Sequence, residues 1–293
     1  MFHSKMTKMD YVVEAFLWLF GACICIVILY PILHMFAISL SAHGPVVRRE
    51  VNLFPRQFTL EAYAVVFSNA KILRSFLNSV YVTGMTCVLS VTAVFFAAYP
   101  LACCKFPGKK IYNMFVLIPM WFGGGIVPSY LCIQKLGLVN TYWALILGGL
   151  ISSYNVLITT SFLRGIPVEL TESARIDGAG EFRIMLQIIG PMSKAVLATV
   201  AIWVIAATWN AYLGPMIYLT DSTKYTLQQV LRAIVLEAEM SAYDITVTGR
   251  DSSNMADQIR YAVLIVSMIP MTIVYPFAQK YFVKGVTLGA VKG

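Results

Sequence analysis

A chain of 293 residues that is 59% hydrophobic and 12% charged, with mean hydropathy +0.74, is not a soluble domain, which would carry about 25% charge. The net charge of +8 does not point to nucleic acid, because Lys and Arg sit in short stretches between apolar runs rather than on one basic face. The class left is a membrane protein in contact with a lipid bilayer.

Six apolar runs are long enough to cross about 30 Å of hydrocarbon as helices. They cover about 12–39, 75–102, 112–133, 142–162, 196–219 and 260–282. Backbone polar groups in lipid must satisfy themselves, so the expected fold is all-α, with six transmembrane helices in one domain. The first run follows Lys5 and Lys8 but is too long for a signal h-region, and no small-x-small cleavage site follows it. It reads as a retained anchor and first span. Pro31 interrupts the first run, Pro100 ends the second and Pro215 lies in the fifth. Pro119, Gly123-Gly124-Gly125 and Pro128 loosen the third. Such breaks suit either a substrate path beside the third and fifth spans or close helix packing.

The six cysteines, Cys23, Cys25, Cys87, Cys103, Cys104 and Cys132, fall in or beside apolar runs and lack zinc-ligand spacing. They read as small hydrophobes, with no metal site expected.

An even number of spans puts both termini on one side. Among the short loops, Lys105, Lys109 and Lys110 stand against Lys135 alone, so the positive-inside rule places the termini in the cytoplasm. The polar segment 163–194 then faces the cytosol, and 220–259 forms a large external loop. Within that loop, Tyr225 to Val235 reads as a short amphipathic helix with Leu227, Val230, Leu231 and Ile234 on one face.

The most informative segment lies between the fourth and fifth runs: Glu172-Ser173-Ala174-Arg175-Ile176-Asp177-Gly178-Ala179-Gly180, closed by Pro191. Pro167 suits a helix's first turn, and Glu169 and Glu172 favour its N-terminal dipole. Gly178 can take the left-handed conformation that stops it. A second short helix, roughly Glu181 to Ile189, is expected to lead into the fifth span. No Gly-x-x-x-x-Gly-Lys-Ser/Thr stretch occurs, so the chain does not cradle ATP phosphates by that route.

This register resembles the "EAA" loop in membrane subunits of ATP-driven importers, where a coupling helix docks on a separate ATPase. Ser173 stands where Ala is usual, and Gly190 where Leu is usual. The resemblance covers nearly the whole chain and is closest to carbohydrate-importer permeases of the maltose type, in the branch taking complex oligo- and polysaccharides, including alginate-type importers. Its supporting stretches include Ala98-Tyr99-Pro100-Leu101, Gly123-Gly124-Gly125-Ile126-Val127-Pro128, Trp209-Asn210 and Leu227-Gln228-Gln229-Val230-Leu231-Arg232. It implies a type I importer permease fold in a bacterial inner membrane. It implies ATPase-coupling residues Glu172, Ser173, Ala174, Asp177, Gly178 and Ala179. It also implies a second, unlike permease subunit, two ATPase subunits binding ATP and magnesium, and an external solute-binding protein touching the loop at 220–259. No cofactor is expected in this chain, and no catalytic residue.

Candidates for the substrate path are Asn155, Trp209, Asn210 and Tyr212. Trp209 and Tyr212 are three apart and expected on one helix face. They suit sugar stacking or interfacial anchoring, whereas an amide facing lipid is costly. The alternative function, an ion-gradient-driven secondary transporter, would need an ionisable group at mid-membrane. Apart from Glu14 near one end and His34, the spans carry no Asp, Glu or His. An intramembrane enzyme would need a Ser-His, His-Glu-x-x-His or paired-carboxylate arrangement, and the spans carry none. Arg48, Arg49, Arg56, Lys71, Arg74, Lys224 and Arg232 would make the outer face basic. That suits acidic sugars such as uronate polymers, or simply solvated loops.

Overall fold

The computed structural model describes residues 8–236 and 255–290, with side chains described for 9–236 and 255–277. Lys5, Lys292, residues 237–254 of the expected external loop and the C-terminal side chains from 278 lie outside them. The chain divides into two compact units, Met1–Ala70 with Ala233–Val266, and Lys71–Arg232 with Ser267–Gly293.

In the first unit, α1 (Lys8–Ser39) is exposed along almost its whole length, with Trp18 and Leu19 more than 70% exposed. A helix that is apolar all round suits lipid rather than water. Only its last turn is buried: Ala37 and Ile38 pack with Val51 and Tyr261. The Ser41 hydroxyl donates to the Ala37 carbonyl at 2.6 Å and accepts the Arg56 N–H at 3.0 Å, closing the loop that leads to α2 (Glu61–Ser68).

The second unit begins with nearly all of α3 (Ala70–Cys103), an unbroken helix, as is α13 (Ala256–Ala290), whose residues from Ser267 belong to this unit. Between them the expected third, fourth and fifth spans are all broken. The third is α4 (Lys109–Trp121) and α5 (Ile126–Lys135). Gly125, at φ 81° and ψ −179°, has a conformation that essentially only glycine adopts. The fourth is α6 (Tyr142–Gly148) and α7 (Ser153–Arg164), bent by 46°. A Cβ added at Gly149 would lie 3.3 Å from the Thr86 methyl, so the break lets α3 come close. The fifth is α10 (Lys194–Trp209) and α11 (Leu213–Tyr218), parted at Asn210–Tyr212.

The segment before the fifth span holds α8 (Glu169–Ile176) and α9 (Glu181–Met192), and α9 meets α10 at 79°. The expected second loop helix thus exists but runs three residues further, with a π-helical stretch at Ile184–Ile189. Pro191 has no N–H to donate and its ring crowds the preceding turn, which the wider π turn accommodates. The helix Leu227–Leu236 (α12) matches the amphipathic segment expected there.

The core of this unit joins Val94, Ala98 and Leu101 of α3, Val156 and Leu163 of α7, Ala174 of α8, Ile184 and Ile189 of α9, and Val200 of α10. The polar loop is therefore packed on the same core as three of the apolar segments. Burying each of the Val, Leu and Ile side chains among them stabilises by about 1.5–3 kcal/mol relative to exposure.

Candidate functional site

The α8–α9 elbow is built by its sequence. Thr171 and Ala174 face the core, while Glu172, Ser173, Ile176 and Asp177 face away from it. Helix α8 ends in a Schellman motif: the Ala179 N–H bonds the Ala174 carbonyl at 2.9 Å and the Gly178 N–H bonds that of Arg175 at 3.1 Å. Gly178 supplies the left-handed residue this closure needs, at φ 81°.

A clasp holds the elbow against the end of α3. The Glu181 carboxylate accepts from Arg175 Nε at 2.8 Å and from the Tyr99 hydroxyl at 2.7 Å. Arg175 also donates to the Cys103 carbonyl at 3.3 Å, and Lys109 to that of Cys104 at 2.9 Å. The hydrogen bond from Arg175 holds the Glu181 carboxyl below the usual carboxylate range against the opposing effect of burial, with help from Tyr99. The same bond raises Arg175, and burial pushes the Cys104 thiol up to about 11. Sequence reasoning assigned none of these clasp residues a role; Tyr99 stood only within a family-like stretch.

The outer surface of the elbow is apolar and acidic together. Ile176 is 86% exposed and Phe182 69%. The Glu172 and Asp177 carboxylates make no hydrogen bond or ion pair with another described residue. All six expected coupling residues, Glu172 to Ala179, thus lie on one structured turn, with Ala174 turned inward.

The broken helices and α3 border an open cavity of about 790 Å³, within the ~300–1,000 Å³ range of small-molecule pockets. Thr83 of α3, Ser129 of α5, Ser152 and Asn155 at the start of α7, Trp203 of α10 and Tyr218 of α11 are among its lining residues. No charged side chain lines it among the described residues.

Of the four path candidates, only Asn155 borders this cavity. Trp209 is buried, with its Nε1–H donating to the Ser267 carbonyl at 3.0 Å and its ring meeting Phe76 edge-on at 5.8 Å. Asn210 turns back to donate to the Ala206 carbonyl at 2.9 Å. Tyr212 follows the helix break, so it does not share a helix face with Trp209, and its ring lies 4.6 Å from the Arg232 guanidinium. Sequence reasoning missed Thr83, Ser129, Trp203 and Tyr218, whose grouping depends on helix breaks that hydropathy does not locate.

Residues 62–288 match the family described as binding-protein-dependent transport system inner membrane component. The chain is 38% identical to Protein LplC of Bacillus subtilis (strain 168), over 90% of this chain and 89% of that protein. It is 37% identical to the polygalacturonan/rhamnogalacturonan transport system permease protein YtcP of the same organism, over 97% and 98%. A crystal structure of a bacterial ABC transporter involved in import of the acidic polysaccharide alginate aligns with a TM-score of 0.87 at 25% identity, over 95% of this chain and 99% of that one. With the family model spanning most of its length, the chain belongs to the inner membrane components of binding-protein-dependent transport systems.

Proposed function

We infer that this chain is one membrane-spanning half of an ATP-driven importer for an oligo- or polysaccharide. The observation that carries the reading is the α8–α9 elbow: a rigid turn, fixed to the core and to α3, that presents unpaired Glu172 and Asp177 beside exposed Ile176 and Phe182. A folded surface that combines free carboxylates with large apolar side chains suits a protein partner. Glu172, Ser173, Asp177, Gly178 and Ala179 dock on a separate ATPase, which binds ATP and magnesium, while Ala174 anchors the turn. The cavity among α3, α5, α7, α10 and α11 is this chain's wall of the sugar path.

The carbohydrate assignment draws support from relatives named for polygalacturonan/rhamnogalacturonan and arabinooligosaccharide transport, the latter 30% identical. A second structural relative is a bacterial alginate transporter in complex with an alginate pentasaccharide-bound periplasmic protein, at 12% identity and TM-score 0.61. An external binding protein delivers the sugar, and an unlike permease supplies the opposite wall. The termini and the elbow are cytoplasmic. Intact-mass measurement of the detergent-purified complex tests the assembly. The expected composition is one copy of this chain, one unlike permease and two ATPases, and a working complex holding copies of this permease alone would overturn it.

A further inference from the structure

Three features converge on one edge of the cavity. The break at 149–152 exposes the start of α7, a helix of 12 residues. Its N-cap, Ser152, gives no side-chain cap, and the first helix-closing bond runs from the Val156 N–H to the Ser152 carbonyl at 3.0 Å. The N–H groups of Ser153, Tyr154 and Asn155 precede that bond and are donors without an intrahelical acceptor.

The Asn155 side chain is the independent second feature. The residue is 7% exposed, it lines the cavity, and its side-chain amide makes no hydrogen bond with another described residue. A buried amide without a partner costs roughly as much as a lost hydrogen bond, so one aimed into a cavity calls for a ligand acceptor. The third feature is the Trp203 ring on the same cavity, tilted against Tyr154 at 5.6 Å. Aromatic faces pack against the apolar faces of sugar rings.

We propose that the first turn of α7 with the Asn155 amide is a carboxylate subsite on the translocation path, taking one uronate unit of an acidic glycan while Trp203 borders its ring. The aligned peptide dipoles at a helix N-terminus favour a negative charge, and free N–H groups match carboxylate oxygens. Half-helix N-termini exposed at a break within the membrane are where transporters hold anionic substrate groups without a charged side chain. That no lysine or arginine stands among the described lining residues matters for transport: a full ion pair in a low-dielectric cavity would hold the glycan, whereas a dipole and an amide release it to the next subsite.

The subsite rests on the importer reading, and the test separates the two. The complete transporter, purified with its partner subunits, is reconstituted in proteoliposomes with its binding protein. ATP-driven uptake is measured for galacturonate and alginate oligosaccharides and for neutral galacto- and arabino-oligosaccharides. Wild type is expected to carry the acidic probes. Asn155→Asp, which sets a like charge against the carboxylate, is expected to lower acidic uptake by at least about tenfold more than it lowers any neutral uptake. Asn155→Thr, which keeps a donor, is expected to fall between wild type and Asn155→Asp for the acidic probes. Uptake of neutral probes alone by wild type, or equal uptake of acidic probes by Asn155→Asp and wild type, would overturn the subsite and leave the importer standing. Equal loss of acidic and neutral uptake in Asn155→Asp would also overturn it. Failure of wild type to move any glycan would overturn the importer reading itself.

Discussion

Replacing Glu181 with alanine removes the carboxylate that links the elbow to Tyr99 of α3, and the cost can be worked from the contacts. Tyr99 is 4% exposed, and its hydroxyl donates to the Glu181 carboxylate at 2.7 Å; the other acceptor near it, the Glu181 backbone carbonyl, is at 3.5 Å. Leaving a buried hydroxyl without its acceptor costs about 1–3 kcal/mol. The Arg175–Glu181 pair adds little, since its side chains are 37% and 49% exposed and solvent screens them; about 0.5 kcal/mol is a fair figure. Glu181→Ala is therefore expected to destabilise by about 2 kcal/mol, and Glu181→Gln, which keeps an acceptor for Tyr99, by about 0.5 kcal/mol. Unfolding by SDS titration in mixed micelles measures both. In combination with Tyr99→Phe, the Glu181→Ala cost is expected to shrink by about 1 kcal/mol, because the hydroxyl it would orphan is gone. Additive costs in that cycle would refute the clasp. Acid gives a second check. The folded-state carboxyl lies below its ordinary 4.5, so its contribution is complete above that pH and is lost as pH falls through the lowered value. The stability gap between wild type and Glu181→Gln should narrow over that range.

Three further outcomes follow from the same structure. Trp209→Phe loses the donor to Ser267 and is expected to cost about 1 kcal/mol in the same unfolding assay while leaving the acidic-to-neutral uptake ratio unchanged; a changed ratio would return Trp209 to the path. Gly125→Ala meets no atom within 4 Å, so its expected cost of about 1–3 kcal/mol is backbone strain alone, and wild-type stability would contradict the reading of that break. In a background without native cysteines, Asp177→Cys should react with an impermeant thiol reagent only from the cytoplasmic side and Thr220→Cys only from the outside; the reverse pattern would invert the topology.

Much of this molecule was legible in its sequence because two signals are local. Apolar runs marked the long helices α1, α3 and α13, and the Glu172–Gly178 register located the elbow, since a Schellman turn needs its glycine at a fixed offset from the helix end. Less local features were not legible. Hydropathy alone does not part the third run, because a bilayer-length apolar stretch has the same composition whether whole or broken; Gly123–Gly125 and the flanking prolines were the only signal of the break between α4 and α5. The break at 210–212 separates Trp209 from Tyr212 and sends the indole into the core, so three-residue spacing misled there. The clasp joins Tyr99 to Glu181 across 82 positions, a pairing that no periodicity encodes. Asn155 stood out in the sequence because an amide deep in an apolar run is costly against lipid, and the structure sets it on the cavity.

The central claim, that the elbow couples this chain to an ATPase, is tested most directly by glycan-stimulated ATP hydrolysis in proteoliposomes holding the complete complex. Glu172→Ala removes an exposed carboxylate that pairs with no other described residue, and Gly178→Val strains the left-handed turn at φ 81°, where an added Cβ meets no atom within 4 Å. Both variants should insert and retain the other subunits, yet lose stimulated hydrolysis and uptake together. Stimulated hydrolysis at the wild-type level in both variants would contradict the account.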